Sequence, residues 1–257
     1  MVWYTWLATW TPAALSSEFR RLSGQCWRVV EAQHVVSTLK LVDTLAEQAL
    51  LEDILEDSKP PVPAECRGLH SLLSTPFRYG AAYPLGSRFR RPGFTPGVFY
   101  GSMTPDTAVA EIAFYRLLFF AESPGTPWPA AAGEYTAFAA RFRTAAGLDL
   151  TKPPFDRHRD IWLHRTDYAG CWEFADVART AGAAALRSES ARSDGVNVAL
   201  FTCRAFAGRE PHANQTWRLH LSASGVKAIC RFPERRLEFD RARFADDPRI
   251  ATLAWER

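Results

Sequence analysis

Six short runs of residues with strand character follow Val98, and only two helical segments interrupt them. The runs are GVFYGS, EYTAFAARF, AAALRS, VNVALF, QTWRLHL and VKAICRF, and several alternate apolar and polar side chains. Such alternation is typical of half-buried strands. Because the helices are segregated from many short strands, the pattern favours an α+β fold over a doubly wound parallel sheet.

Two segments among these runs predict helices because their ends carry capping residues. The first begins at Thr104-Pro105, an N-cap followed by a proline at the first helical position, and continues through EIAFYRLLFF to Pro124. The second spans about residues 167–182 and ends at Gly182, a residue that favours helix termination.

The first 60 residues also have helical character. A proline follows Thr11, and Pro60-Pro61 ends the run STLKLVDTLAEQALLEDILEDSK. Apolar residues recur near helical spacing at Leu15, Phe19, Leu22 and Trp27, and again at Leu41, Leu45, Ala49, Ile54 and Leu55. We therefore expect an N-terminal helical extension over residues 1–72 and one α+β domain over residues 73–257.

The charge balance excludes several classes of protein. The chain has 31 Lys and Arg against 28 Asp and Glu, interspersed, so it lacks the basic field of a nucleic-acid-binding protein, and we expect no direct contact with nucleic acid. No Lys or Arg precedes Arg20, which argues against a secretory signal. The apolar run AVAEIAFYRLLFF contains Glu111 and Arg116 and is too short to span a bilayer, so no membrane association is expected.

The five cysteines form no CxxC pair and are widely spaced. This spacing predicts reduced thiols in a cytoplasmic protein rather than a disulfide framework or a zinc site. The six histidines are scattered, and there is no HExxH motif, so no metal site is expected. A GxGxxG loop after a strand, a Walker loop and a GxSxG elbow are also absent from the sequence.

Arginines and aromatic residues are concentrated between Thr75 and Arg116. Guanidinium groups on a supported loop suit phosphate or pyrophosphate, because they donate paired charge-assisted hydrogen bonds. Aromatic rings nearby can stack on a flat base or a nicotinamide ring. The candidates are Arg78, Arg88, Arg90 and Arg91 with Tyr79 and Tyr100. Composition alone favours the other interpretation, a solvated basic loop with tyrosines filling the core.

Glu111 stands out because it lies in an otherwise apolar helical segment, AVAEIAF. A buried carboxylate is costly unless it has partners. Glu111 therefore either faces solvent or is directed into a cleft beside the arginines. Tyr100 closes the preceding strand, so both side chains could reach one cavity.

At these positions the sequence resembles the RES-domain toxins, and specifically their ParT-like branch, whose members also carry an N-terminal helical extension. The matching elements are Arg78-Tyr79, Gly86-Ser87-Arg88-Phe89, Val98-Phe99-Tyr100, Ala108-Val109-Ala110-Glu111, and Ser190-Ala191-Arg192 followed by Gly195 and the strand 196–201. The more usual GGRWN of the family is here Gly86-Ser87-Arg88-Phe89-Arg90. Ser188 competes with Ser190 as the matching serine, and the distance to Arg192 favours Ser190.

The resemblance implies an ADP-ribosyltransferase-like split β-sheet that binds NAD as its substrate and needs no metal. It also implies the toxin of a type II toxin–antitoxin system, which transfers ADP-ribose to a protein target or degrades NAD by hydrolysis or phosphorolysis. For this branch the implied target is phosphoribosyl pyrophosphate synthetase. The implied partner is an antitoxin with an Xre-type helix-turn-helix domain that blocks the active site.

The resemblance also assigns roles to residues. Glu111 and Arg88 are expected to be catalytic. Arg78, Tyr79, Arg88, Tyr100 and Ser190 are expected to bind NAD, with the arginines on the pyrophosphate and Ser190 on the nicotinamide ribose. The alternative function is a catalytically silent nucleotide-binding or protein-interaction module on the same scaffold.

Overall fold

A computed structural model describes residues 10–32, 41–78, 86–93 and 95–256, which form a mixed fold built on one eight-stranded sheet. The strands are β1 (Arg20–Glu31), β2 (Phe99–Ser102), β3 (Gly133–Asp149), β4 (Ala185–Glu189), β5 (Val196–Leu200), β6 (Ala213–Ser222), β7 (Gly225–Cys230) and β8 (Arg235–Asp240). The α-helices are α1 (Pro12–Ser17), α2 (Leu45–Asp57), α3 (Ser71–Arg78), α4 (Pro105–Glu122), α5 (Arg159–Leu163), α6 (Ala169–Thr180) and α7 (Pro248–Ala251). The six strands expected after Val98 are confirmed, as is the α+β class.

Part of the sheet closes into a ring. Its strand order is β1-β2-β5-β4-β3-β6-β7-β8, and β1 pairs in addition with β3. The long pairing of β1 with β3 is antiparallel, whereas β1 meets β2 at a single pair, Trp27 with Ser102. Because these two strands separate on either side of that pair, an opening forms between β1 and β2.

Strand β1 corrects the expectation of an N-terminal segment that is helical throughout. Helix α1 follows its Thr11 cap as expected but ends at Ser17. The next segment pairs with β3 between Arg20 and Glu31, and its centre is buried on both faces, with Cys26 in one apolar cluster and Trp27 in another. A strand that is covered on both faces lacks a clean alternation of apolar and polar residues, so its apolar spacing resembles that of a helix. The domain boundary at residue 72 stays a prediction, although β1 belongs to the sheet.

The two helices expected among the strands are confirmed as α4 and α6. The Thr104 side chain caps α4 by accepting a hydrogen bond from the Thr107 amide, and Pro105 occupies its first turn. Helix α4 then buries most of its apolar side chains in the core that it shares with β3, β6 and β7. The chain after β8 also reaches this core, through Ile250 and Leu253. The same helix therefore contacts the centre of the sheet and the C-terminal segment.

The expectation of five reduced thiols is wrong for one pair. Cys66 and Cys203 form a disulfide across 137 residues, with their Cα atoms 5.8 Å apart. No local sequence motif predicts this disulfide, because only the fold brings the two segments together. Glu65 lies beside these sulfurs, but a disulfide leaves neither sulfur as a thiolate ligand. That no metal takes part, and that the protein is cytoplasmic, therefore stay predictions.

Within the part of the chain that the structure describes, no helix combines the length and the apolar character needed to cross a bilayer.

Gly195, directly before β5, lies against α4 more closely than a larger residue could. A Cβ atom built on Gly195 would lie 1.9 Å from the Thr107 hydroxyl oxygen. The Gly195 carbonyl also accepts a hydrogen bond of 2.8 Å from the Ser190 amide, which closes the loop between β4 and β5. This contact fixes the start of β5 and the preceding loop relative to α4.

We expect Gly195→Ala to destabilise the protein by about 3 kcal/mol, because the added methyl group must displace the first turn of α4. Urea unfolding measures the change. Gly125→Ala is the matched control, since nothing lies within 4 Å of a Cβ atom there, and it should change stability by less than about 0.5 kcal/mol. Equal effects of the two substitutions would show that the contact is not tight.

Candidate active site

A cavity of about 630 Å³ opens where β1 and β2 separate. Its walls come chiefly from β1, β2, β5 and α4, together with residues 86–90, 188–189 and 191–192. The volume lies within the range of roughly 300–1,000 Å³ that is typical of small-molecule sites. Four arginines line it, namely Arg28, Arg88, Arg90 and Arg192. Such a cavity suits an anionic ligand.

Glu111 lies on α4 and lines this cavity, so the cleft alternative is the one the structure supports. Its Oε1 atom accepts two hydrogen bonds, 2.7 Å from the Ser190 hydroxyl and 2.6 Å from the Asn197 amide nitrogen. The second carboxylate oxygen, Oε2, accepts no hydrogen bond from the described residues. Glu111 is therefore held through one oxygen, and the other remains available to a ligand.

The amide of Asn197 is itself held in orientation. The hydroxyl of Ser102, a buried residue on β2, donates a hydrogen bond of 2.7 Å to Asn197 Oδ1. That bond leaves the Asn197 nitrogen directed at Glu111. Sequence reasoning missed both residues, although an asparagine within the apolar strand VNVALF was a visible signal.

Ser190 is tied into its own loop as well as to Glu111. Its hydroxyl oxygen accepts hydrogen bonds from the amides of Arg192 at 3.0 Å and Ser193 at 3.1 Å. A serine hydroxyl has one hydrogen to donate, and here Glu111 receives it. The structure thus places Ser190 on Glu111, whereas the cavity lining includes Ser188 and not Ser190.

Arg192 is buried beside this loop and is paired with a carboxylate of the C-terminal segment. Its Nη2 lies 3.0 Å from Asp247 Oδ2, and the side chains of the two residues are 3% and 1% exposed. Its guanidinium also lies 3.6 Å from the centre of the Phe114 ring, on α4. Arg249 donates two further hydrogen bonds to Asp247. One carboxylate therefore holds two arginines at the back of the site.

The loop that carries Arg88 is a tight turn closed between Ser87 and Arg90. Gly86 enters it at a φ of +64°, and a Cβ atom there would lie 2.8 Å from the Arg90 carbonyl oxygen, so the position requires glycine. Arg88 Nη1 donates to the carbonyl oxygens of Trp162, at 2.6 Å, and His164, at 2.9 Å. The position of Arg88 at the cavity is therefore fixed from outside the loop.

Tyr100 anchors this loop to β2. Its hydroxyl forms a hydrogen bond of 2.8 Å with the Ser87 hydroxyl and accepts one of 3.0 Å from the Phe89 amide. Burial raises the pKa of Tyr100 above its ordinary value, so the neutral phenol persists at physiological pH. The structure thus gives Tyr100 a supporting role in addition to its place in the cavity lining.

Arg78, one of the expected NAD-binding residues, does not line the cavity. Arg78 ends α3 and pairs with Glu56 at 2.6 Å while donating to the Pro60 carbonyl at 2.7 Å. Tyr79 lies outside the described residues. The NAD-binding roles of both stay predictions.

Asp247 should govern part of the pH dependence of stability. Burial alone would raise its pKa, but hydrogen bonds from Arg249 and the charge of Arg192 lower it below the ordinary 3.8. A carboxyl group with a lower pKa in the folded state stabilises the protein above its unfolded pKa, and this contribution disappears as the pH falls through the folded-state value.

We therefore expect Asp247→Asn to lower the free energy of unfolding at pH 7 by about 3–5 kcal/mol, because Arg192 remains buried without its partner. The remaining stability should also fall less steeply than in the wild type as the pH drops below about 4. Urea unfolding from pH 7 to 3 tests both expectations. Asp246→Asn is the control, since that side chain is 58% exposed. An unchanged acid dependence in Asp247→Asn would contradict the assignment.

Comparison with known proteins identifies the family. The family model described as the RES domain matches residues 62–222, which is more than half of the chain. No curated protein matches the sequence. The chain is similar in structure to a chain from the crystal structure of the M. tuberculosis MbcT–MbcA toxin–antitoxin complex, at 15% identity and a TM-score of 0.47, over 79% of this chain and 89% of that one. On the strength of the domain match, the chain belongs to the RES-domain family.

Proposed function

We propose that the protein breaks the nicotinamide–ribose bond of NAD in this cavity and acts as the toxin of a type II toxin–antitoxin pair. The observation that carries the proposal is Glu111, a carboxylate fixed through Oε1 in an arginine-lined cavity with Oε2 left for a ligand. Membership of the RES-domain family supports it, because the toxins that the sequence resembles act on NAD.

The chemistry requires a fixed negative charge near the ribose. As the C–N bond breaks, nicotinamide leaves with the bonding electron pair and positive charge develops on the ribose. A carboxylate that accepts hydrogen bonds from ribose hydroxyls binds this state more strongly than the ground state, which lowers the barrier. Oε2 of Glu111 is the atom suited to that contact.

The remaining cavity residues suit the rest of a dinucleotide. In this proposal the guanidinium of Arg88 binds the pyrophosphate, and Tyr100 packs near the nicotinamide or its ribose. Ser190 acts through Glu111, since its one hydroxyl hydrogen is already donated there. It is therefore a positioning residue in this proposal.

The ADP-ribose that remains must be captured by a nucleophile. Water, inorganic phosphate or a protein side chain would supply an electron pair to the ribose carbon and lose a proton. We extend the proposal to transfer onto a protein, with phosphoribosyl pyrophosphate synthetase as the candidate target and an ADP-ribosyltransferase-like fold as the scaffold. Mass spectrometry of the products formed from NAD, phosphate and the candidate target distinguishes the three outcomes.

The proposed partner is an antitoxin with an Xre-type helix-turn-helix domain, acting in the cytoplasm. The arginines that line the cavity favour an acidic side chain or a C-terminal carboxylate from that partner, which would block the site. The DNA-binding charge would then lie on the partner, since this chain has a net charge of +3 with both signs interspersed.

We expect Glu111→Gln to lower kcat for nicotinamide release by at least about a hundredfold, because the amide keeps the size of the side chain and loses its charge. The purified protein is incubated with NAD, with and without phosphate and acceptor proteins, and nicotinamide is measured. Glu122→Gln is the matched control, as Glu122 is exposed at the end of the same helix.

Undiminished turnover by Glu111→Gln would refute the catalytic role of Glu111. If the wild-type protein releases no nicotinamide under any of these conditions, the proposed reaction is wrong and only a nucleotide-binding or interaction function is left.

Ser190 and Ser188 provide a second, paired test. Ser190→Ala removes one of two hydrogen bonds to Glu111 Oε1, so we expect kcat to fall by roughly tenfold with a smaller change in KM. Ser188→Ala should have the smaller effect on kcat, because no hydrogen bond joins Ser188 to Glu111. Steady-state kinetics of nicotinamide release measure both variants, and the reverse ranking would show that Ser188 is the functional serine.

A further inference from the structure

Arg28 is a cavity residue from a part of the chain that precedes the RES-domain match. It lies on β1, whereas the match begins at residue 62, and its neighbours Trp27 and Val29 also line the cavity. The sequence pattern around Arg28 predicts a helix, and Arg28 is not among the ligand-binding residues expected from the sequence. The fold brings it into the opening between β1 and β2.

Arg28 differs from Arg192, another arginine of the cavity, in what surrounds it. Its Nη1 donates to the Tyr100 carbonyl at 3.1 Å, and its guanidinium lies 5.3 Å from the centre of the Phe99 ring. No carboxylate of the described residues forms an ion pair with it. By contrast, Arg192 is paired with Asp247 at 3.0 Å. Burial lowers the pKa of Arg28, which indicates that its charge has lost hydration.

A poorly hydrated cation without an anion is unfavourable, and proteins retain such groups where a ligand supplies the opposite charge. The planar guanidinium suits phosphate in particular, since its N–H groups can form two parallel hydrogen bonds to phosphate oxygens. The unsatisfied charge of Arg28 therefore indicates an anionic group of the ligand.

The positions of Arg28 and Arg88 relative to Tyr100 suggest how such a ligand lies. Arg28 contacts the backbone carbonyl of Tyr100, and the turn that carries Arg88 is bound to the hydroxyl of the same tyrosine. Both arginines line one cavity. Two cations held on either side of one residue, at its backbone carbonyl and near its hydroxyl, suit a ligand with more than one anionic oxygen group.

We infer that Arg28 forms a phosphate-binding subsite of the cavity, supplied by β1. Assigning this phosphate to a dinucleotide rests on the proposed function. The same chemistry fits inorganic phosphate as the nucleophile that captures ADP-ribose, so the test separates a nucleotide phosphate from free phosphate.

Calorimetric titration of the full chain with ADP, adenosine and inorganic phosphate tests the subsite. We expect Arg28→Met to weaken binding of ADP, of inorganic phosphate, or of both by at least about tenfold, and to leave adenosine binding unchanged. Loss confined to ADP assigns Arg28 to the nucleotide, and loss confined to inorganic phosphate assigns it to the free ion. Unchanged affinity for both, or a wild-type protein that binds neither, would overturn the inference.

Arg20→Met is the matched control. Arg20 lies on the same strand as Arg28, is 3.7 Å from Glu18 and is outside the cavity lining, so its loss should leave all three affinities unchanged. If Arg28→Met does not fold, Arg28→Lys keeps the charge but not the planar fork and should weaken phosphate binding by at least threefold. Unchanged binding by a folded Arg28→Lys would then overturn the inference.

The outcome is separable from that of the proposed function. A protein that binds ADP through Arg28 but releases no nicotinamide from NAD would refute the reaction and retain the subsite. If the protein releases nicotinamide but its affinities for ADP and phosphate do not depend on Arg28, the reaction is retained and the subsite is refuted.

Discussion

The contact between Gly195 and Thr107 joins the two elements on which the candidate site depends. It holds the start of β5 against the first turn of α4, at a distance that leaves no room for a side chain. Asn197 follows on β5, Ser190 begins the loop that Gly195 closes, and Glu111 lies one turn further along α4. Without this close packing, the two donors would not meet the same carboxylate oxygen.

The arginines around the cavity are held in different ways, and the difference carries functional information. Arg192 is almost fully buried and has Asp247 as its ion-pair partner, which it shares with Arg249. Arg88 is fixed by backbone carbonyls, which orient it without neutralising it. Among the described residues no carboxylate pairs with Arg28, and its burial reduces its hydration. Of these three, Arg88 and Arg28 therefore suit a ligand anion best, whereas Arg192 supports the loop that bears Ser190.

Much of the candidate site could be predicted from the sequence, because its residues lie in short, ordered motifs. Glu111, Arg88 and Tyr100 all line the cavity, and Ser190 contacts Glu111. Arg78 shows the limit of such motifs, since its side chain is engaged with Glu56 rather than directed into the cavity. A motif specifies which residue types occur together, but ion pairing with a distant helix decides where a side chain points.

By itself, the sequence determined the elements whose signals are local. Strand alternation after Val98, the Thr104-Pro105 cap of α4 and Gly182 at the end of α6 each lie within a few consecutive residues, and all three elements formed as expected. Tertiary structure alone decided the features that join distant segments. It made residues 20–31 a strand by pairing them with β3, and it joined Cys66 to Cys203. It also placed Asp247 against Arg192 and Arg28 in the cavity. The physical reason is that strand pairing, burial and ion pairing depend on which segments come together in space. No local sequence pattern encodes these long-range contacts.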